Sequence, residues 1–372
     1  MSNRLLVRYQ VMTRFGLVFE GSTDVKRTIL GLAAILCFST AHAQQYNLAV
    51  MKLLPGGTYI QVTGLNNVPQ IVGYADDIDT SISSNPEQSA VVWSASGTPT
   101  VVQHGAWLWS PIANGINNSH VVVGTLDGIG ESAGAWCVPL DNCGSGGLPG
   151  GSGDGTSGDA YGVNDANNMV GVGQASSVSF QSVAIWWEAP AKGGMAIILP
   201  MLPAYTESVA YAINAGGRIV GNASNSTTTH AVLWTGGKMI DLGTLGGAAS
   251  AAAAINAAGE VVGSAELKNG AQHATAWVNG VAKDLGTLGA TSSYATGINT
   301  AGDIVGGSAH AVLWPHATGK PVDLTTRISA SLAKQHVLSG AVGINDKGDI
   351  LVQGYNATTH AAESYLLTPQ TN

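Results

Sequence analysis

INAAGEVVG, residues 255–263, has near copies along the chain: INAGGRIVG at 213–221, INTAGDIVG at 298–306 and, more loosely, GINDKGDILV at 343–352. A Gly-rich nonamer of this kind is either a ligand-binding loop or a piece of architecture, and counting its copies separates the two. An Asn with a Gly seven residues later occurs at Asn66/Gly73, Asn117/Gly124, Asn164/Gly171, Asn214/Gly221, Asn256/Gly263 and Asn299/Gly306. A seventh, Asn345, has Val352 in the Gly's place. Successive Asn residues lie 51, 47, 50, 42, 43 and 46 apart. A period between about 40 and 50 marks a solenoid, a propeller or an array.

Four strand-like pieces recur within each period. In the fifth copy they are ASAAAAIN (249–256), EVVGSA (260–265), HATAW (273–277) and VAKDLG (281–286), and the fourth copy repeats them as SVAYAIN, RIVGNA, HAVLW and KMIDLG. None shows a helical period of apolar residues. Four short strands per unit of this length is the pattern of a propeller blade. The nonamer then has a physical task. Asn256-Ala257-Ala258-Gly259 reads as a type I turn, closing a hairpin between the first two strands. Gly217, Gly302 and Gly348 take the same place, Asn167 can adopt the left-handed conformation there, and Pro69 and His120 depart, so the first two turns are expected to differ. Gly263, inside a strand, leaves room for a close neighbour.

Seven copies predict an all-β, seven-bladed propeller of four antiparallel strands per blade. The last copy stops at Pro369 without a fourth strand, while YNLAVMKLLPGG (46–57) sits where MIDLGTLGG (239–247) sits in copy four. The N-terminal strand is therefore expected to complete the last blade and close the ring without an unpaired edge. An open solenoid would have no use for that offset.

Composition agrees with this. Of 372 residues 50 are Gly and only 10% are charged, which suits many short strands and tight turns and is too apolar for a disordered chain. Residues 26–43, KRTILGLAAILCFSTAHA, place two cations before a short apolar run and end it in Ala41-His42-Ala43. That is the pattern of a secretory signal peptide, so residues 1–43 are expected to be removed and residues 44–372 to form one secreted domain, extracellular or periplasmic. The run is too short for a stable anchor, and no other apolar run reaches membrane-spanning length. Residues 1–43 hold 5 of the 15 Lys+Arg and 2 of the 23 Asp+Glu, which leaves a net charge of −11 beyond them. With no cluster of cations, nucleic acid is not an expected partner. Cys137 and Cys143 remain after cleavage and are expected to form a disulfide in an oxidising compartment.

The His-Ala pairs at His230-Ala231, His273-Ala274 and His310-Ala311 each lead to a Trp four residues after the His. With INAAGEVVG before them, and DLGTLGG (241–247) and DLGTLGA (284–290) after, they resemble the HAF repeat family of predicted extracellular bacterial repeat proteins. The resemblance is strongest from about 205 to 315. It departs at the third motif letter, which is Val232, Thr275 and Val312 rather than Phe, and at Ser89 and Ser182 in place of the His. It implies export and a repeat fold and carries no activity or catalytic residues.

Candidates for chemistry are few. His230, His273, His310 and His360 could in principle face a shared channel and bind a metal. A repeated residue normally does a repeated structural job, and each His is expected to bond a neighbouring blade's backbone. Trp93, Trp136, Trp186, Trp234, Trp277 and Trp314, with Tyr365 in the seventh place, are expected to pack between blades. Trp107 and Trp109 lie on one face of a strand as a sugar-stacking platform or a patch of core. A Gly-rich insert at about 141–159 holds Asp154 and Asp159, which could ligate Ca2+, although the spacing is not that of an EF-hand and a flexible loop is the simpler reading. No other cofactor is indicated. Only Arg218 and Arg327 follow Ala43, which all but excludes an arginine-triad glycosidase, and no G-x-S-x-G elbow appears. The favoured function is a non-enzymatic binding or scaffold module, monomeric, for carbohydrate or a cell-surface protein. The alternative is a secreted hydrolase or lyase acting on polysaccharide, which requires converging carboxylates with raised pKa values.

Overall fold

The computed structural model describes residues 44–77, 87–105, 110–126, 132–137, 146–148, 158–175, 181–188, 196–317 and 319–371. Residues 1–43, where the signal-peptide reading falls, lie outside them. The described residues form seven four-stranded antiparallel sheets, each a blade of a β-propeller. Blade 1 runs Ile60–Leu65, Ile71–Asp77, Glu87–Trp93 and Pro99–Gln103, from the axis outward. Blade 2 runs Ile112–Ile116, Val121–Leu126, Ser132–Cys137 and Gly146–Gly147. Blade 3 is Gly158–Val163, Met169–Gln174, Ser182–Trp187 and Ala196–Ile198; blade 4 is Glu207–Ile213, Ile219–Ser224, Thr229–Thr235 and Lys238–Asp241. Blade 5 is Gly246–Ile255, Val261–Leu267, Gln272–Val278 and Val281–Asp284; blade 6 is Tyr294–Ile298, Ile304–Gly307, Ala311–Trp314 and Val322–Asp323. Blade 7 takes His336–Ile344, Ile350–Asn356 and Ala362–Pro369 from the end of the chain and Tyr46–Val50 from its start.

That last pairing closes the ring as the sequence predicts. Tyr46 lies opposite Pro369 and Val50 opposite Tyr365, and the Gln370 N–H donates to the Gln45 carbonyl at 2.8 Å. Covering the Ala362–Pro369 edge removes a row of unpaired backbone groups that would otherwise template association.

Each inner strand has a β-bulge three residues before its Asn, between Val62 and Gly64 in blade 1 and between Ala341 and Gly343 in blade 7, and those of blades 5 and 7 have a second irregularity nearer their start. The bulge brings the inner strand hard against the second one. A Cβ on Gly263 would run into the Ala251 carbonyl oxygen, and one on Gly73, Gly171, Gly221 or Gly306 would meet the corresponding carbonyl. The in-strand Gly is thus required by close backbone approach. Blade 7 is different: Val352 keeps the register place opposite Ala341, a second bulge falls between Leu338 and Gly340, and the close approach moves to Gly354 against Val337.

Hydrophobic clusters join neighbouring blades; one combines Val170 and Ala184 of blade 3 with Ala210, Val220's neighbour Ile219, Val232 and Trp234 of blade 4. Trp93, Trp187, Trp234, Trp277 and Trp314 are each 0–3% exposed. Burying one indole contributes about 4–6 kcal/mol at ~25 cal/mol/Å². Three also tie down the crossover arriving from the preceding blade: Trp93 Nε1 donates to the Lys52 carbonyl at 2.9 Å, Trp234 Nε1 to Pro200 at 2.7 Å and Trp314 Nε1 to Leu285 at 2.9 Å. The register corrects two sequence assignments. In blade 3 it is Trp187, opposite Met169, that matches Trp93 opposite Ile71, and Trp186 is its neighbour. In blade 7 Leu367, opposite Ile350, takes that place and Tyr365 lies two residues earlier.

The Gly-rich 141–159 stretch contributes to two blades, since Gly146–Gly147 is the outer strand of blade 2 and Gly158 opens the inner strand of blade 3. Among the described residues no helix is long and apolar enough to cross a membrane.

Candidate functional site

The seven repeat Asn residues meet at one end of the propeller axis. Each is 3–6% exposed. Each Oδ1 accepts the N–H four residues on, at 2.9–3.0 Å, which fixes the turn. Each Nδ2 reaches across to the main-chain carbonyl of the next blade's Asn. The chain of donors runs Asn66 to Asn117, Asn164, Asn214, Asn256, Asn299 and Asn345, at 2.9–3.5 Å. Asn345 then donates to the Asn66 carbonyl at 3.0 Å and completes the circle. The turn role is legible in the sequence. The bond between blades is not, because its partners lie 42–51 residues apart, or 279 at the closure.

In six of the seven turns that carbonyl has a second donor, the N–H three residues on within the same turn. His120 and Asn167 supply it with φ of 65° and 62°, so the second turn matches the others where the sequence suggested a departure. The first turn does depart: Pro69 has no N–H, and the Asn66 carbonyl depends on Asn345.

The residue before each Asn, from Leu65 in blade 1 to Ile344 in blade 7, points an aliphatic side chain at the axis and forms a collar. A cavity of about 300 Å³ lies on the Asn side of it, and one of about 240 Å³ on the other side, walled by Gly64, Gly115, Gly162 and the tilted pair Tyr161–Tyr211.

The residues after the Asn form the mouth: Asn67, Asn118, Asp165, Ala215, Ala257, Thr300 and Asp346, one per blade. On one arc each backbone N–H donates to the next blade's side chain. Thr300 N–H bonds Asp346 at 2.9 Å, Asp346 N–H bonds Asn67 at 2.9 Å, Asn67 N–H bonds Asn118 at 2.8 Å and Asn118 N–H bonds Asp165 at 2.8 Å. Two side-chain amides add bonds, Asn67 Nδ2 to Asp346 at 2.8 Å and Asn118 Nδ2 to Asp165 at 2.9 Å. On the other arc Ala215 and Ala257 offer no acceptor. Burial pushes the Asp346 carboxyl up, but the donors from Thr300 and Asn67 outweigh it and hold it below the usual carboxylate range.

The opposite end carries the crossovers and the His-Ala motif. His230 Nδ1 lies 2.8 Å from Asp241 Oδ2, and His273 Nδ1 lies 2.9 Å from Asp284 Oδ1. Each pair joins the third and outer strands of its own blade, which corrects the expectation of a bond to a neighbouring blade's backbone. The Asp also accepts the N–H of the Gly two residues on, at 2.8 and 2.7 Å, starting the crossover. The next inner strand completes the joint: Ser250 and Ser293 accept the Ala231 and Ala274 N–H and donate to the Gly243 and Gly286 carbonyls. The His-Ala and DLG motifs are thus two halves of one crossover. Tyr205 adds a bond to Asp241 at 2.6 Å. Burial works against the Asp241 charge, yet the Tyr205 and His230 hydrogen bonds and the Gly243 N–H bring its carboxyl below the usual range, while burial and Asp241 push the Tyr205 hydroxyl up.

His310 and His360 are exposed, and His360 lies against Tyr355, ring centroids 6.0 Å apart. Among the described residues no group of three or more His, Cys, Asp or Glu side chains could hold a metal. Asp159 accepts from Thr125 at 2.7 Å and Tyr161 at 3.0 Å, linking blades 2 and 3. Asp154, Cys143, Trp107 and Trp109 lie outside the described residues, as does the side chain of Cys137.

No family model and no curated protein matches the chain. Solved structures do. An acylaminoacyl peptidase from Pyrococcus horikoshii is 9% identical, over 84% of this chain and 52% of that one, with a TM-score of 0.45. A prolyl endopeptidase is 10% identical over 100% of this chain and 61% of that one, TM-score 0.49. The β-propeller domain of the Trilobed protease from Pyrococcus furiosus is 8% identical over 84% of this chain and 98% of that one, TM-score 0.48. The chain therefore spans between half and two thirds of the first two, and what it shares with all three is distant.

Proposed function

We propose that the protein is an exported binding or scaffold module that uses the rigid ring as a frame and its loops and axial mouth as a recognition surface. One observation carries this reading. Asp165 and Asp346, the carboxylates at the mouth, are both spent on hydrogen bonds between blades, and Asp346 is held below the usual range. A glycosidase needs one carboxyl kept protonated near neutral pH to act as the general acid. The leader at 26–43 and the likeness to HAF repeat proteins support export, and export supports a Cys137–Cys143 disulfide. Carbohydrate and cell-surface protein are the ligand classes to test first. The experiment is a glycan and polysaccharide screen with two readouts, retention and release of reducing ends. Retention without release is the expected result, and release would establish the hydrolase instead.

A further inference from the structure

We propose that the arc of the mouth formed by blades 3 to 5 binds a neutral, polyhydroxylated ligand of the sugar class. This rests on the binding-module reading and assigns it a place. The mouth is a ring with a regular rule: each N–H after the ring Asn donates to the next blade's side chain. The rule holds from Thr300 through Asp346 and Asn67 to Asn118, and then stops. The N–H groups of Asp165 and Ala215 face positions held by Ala215 and Ala257, and Ala257 precedes Thr300. Among the described residues none of these three N–H groups has a protein acceptor. All three residues line the cavity of about 300 Å³, a volume at the lower end of small-molecule clefts, which run roughly 300–1,000 Å³.

Three successive donors on one arc ask for oxygen acceptors spaced along a ligand. The facing arc supplies the complement. Asp165 takes two bonds from Asn118, one on each oxygen, and keeps acceptor capacity for a ligand hydroxyl, while Asp346 already takes the Thr300 N–H, the Thr300 hydroxyl and the Asn67 amide. A hydroxyl both accepts from an N–H and donates to a carboxylate, so a polyol can satisfy both arcs. A carboxylate or phosphate cannot, because two carboxylates and no Lys or Arg line the cavity. The aliphatic collar makes a floor for the C–H face of a sugar ring.

The test is binding of glucose, galactose, N-acetylglucosamine, maltose and cellobiose to the whole protein, with galacturonate and inorganic phosphate alongside. Amide shifts at Asp165, Ala215 and Ala257 report the site. The double variant Ala215→Asn/Ala257→Asn continues the ring's rule into the gap. It should raise the melting temperature while weakening saccharide binding about tenfold or more. Ala215→Val/Ala257→Val plugs the arc without supplying acceptors and should also abolish binding. Asp284→Asn, at the opposite end, should leave binding unchanged. Preference for galacturonate or phosphate overturns the assigned chemistry, and so does the absence of saccharide binding. Saccharide binding that survives both double variants overturns the assigned place but leaves the binding module standing. Reducing-end release alone overturns the module.

Discussion

Replacing Asn345 by Ala should cost far more than the same change at Asn214, although the two occupy the same place in the repeat. Asn345 Nδ2 donates to the Asn66 carbonyl at 3.0 Å and to Asp349 Oδ2 at 2.8 Å, and its Oδ1 accepts from Lys347 and Asp349 N–H. Pro69 leaves the Asn66 carbonyl without a second donor, and Asp349 is 5% exposed. The variant orphans a buried carbonyl, at about 1–3 kcal/mol, and removes a hydrogen bond to a buried carboxylate, at about 1.5–3 kcal/mol. The expected loss is about 4 kcal/mol. Asn214 donates to the Asn256 carbonyl, which keeps the Gly259 N–H at 3.0 Å, and accepts from the partly exposed Arg218 N–H. Its loss should cost about 2 kcal/mol. For a ring of about 330 residues, with an unfolding entropy near 2.1 cal/mol/K per residue, these correspond to melting points lower by about 6 and 3 °C. Calorimetry, with urea unfolding followed by Trp fluorescence, reads both. Equal losses at the two sites would refute the claim that Pro69 makes the closing joint depend on Asn345.

Three further outcomes are expected. Gly263→Ala should destabilise by about 2–4 kcal/mol, because the new Cβ meets the Ala251 carbonyl within a paired strand; Gly270→Ala, in open space at φ 83°, should cost only about 1 kcal/mol of backbone strain. The Asp241 carboxyl is held low, so its stabilisation is present above its unfolded pKa near 3.8 and is lost as the pH falls through the lower folded value. Urea midpoints measured from pH 5 to pH 2 should therefore drop more steeply in the wild type than in Asp241→Asn. Deleting Tyr46–Val50 should uncover the Ala362–Pro369 edge and produce concentration-dependent aggregates on size-exclusion chromatography that the intact chain does not form.

Features confined to one hairpin were legible in the residues. The turn at Asn256–Gly259 and the tight approach at Gly263 depend on groups within one hairpin, and the repeat period is the spacing of the Asn residues themselves. The closing strand at Tyr46–Val50 was legible because a missing fourth strand at one end matched a spare one at the other. Two places on third strands differ from the sequence assignment: four residues on from Ser182 is Trp186 and the last copy offers Tyr365, whereas pairing selects Trp187 and Leu367. The His230 and His273 partners were missed because strand pairing, not sequence distance, sets them against Asp241 and Asp284.

The candidate site divides in the same way. Its parts are written in the chain: Asn after an aliphatic residue, and Ala at positions 215 and 257 where other copies carry Asn, Asp or Thr. By itself the sequence determined the repeat, the hairpin and the number of blades, since these rest on local backbone geometry and on period. Only the closed ring decided that each Asn bonds the next blade, that the residues after them share one mouth, and that Ala215 and Ala257 leave the Asp165 and Ala215 N–H groups facing no side-chain acceptor there. Those relations join groups more than 40 residues apart and exist only when seven inner strands converge on one axis.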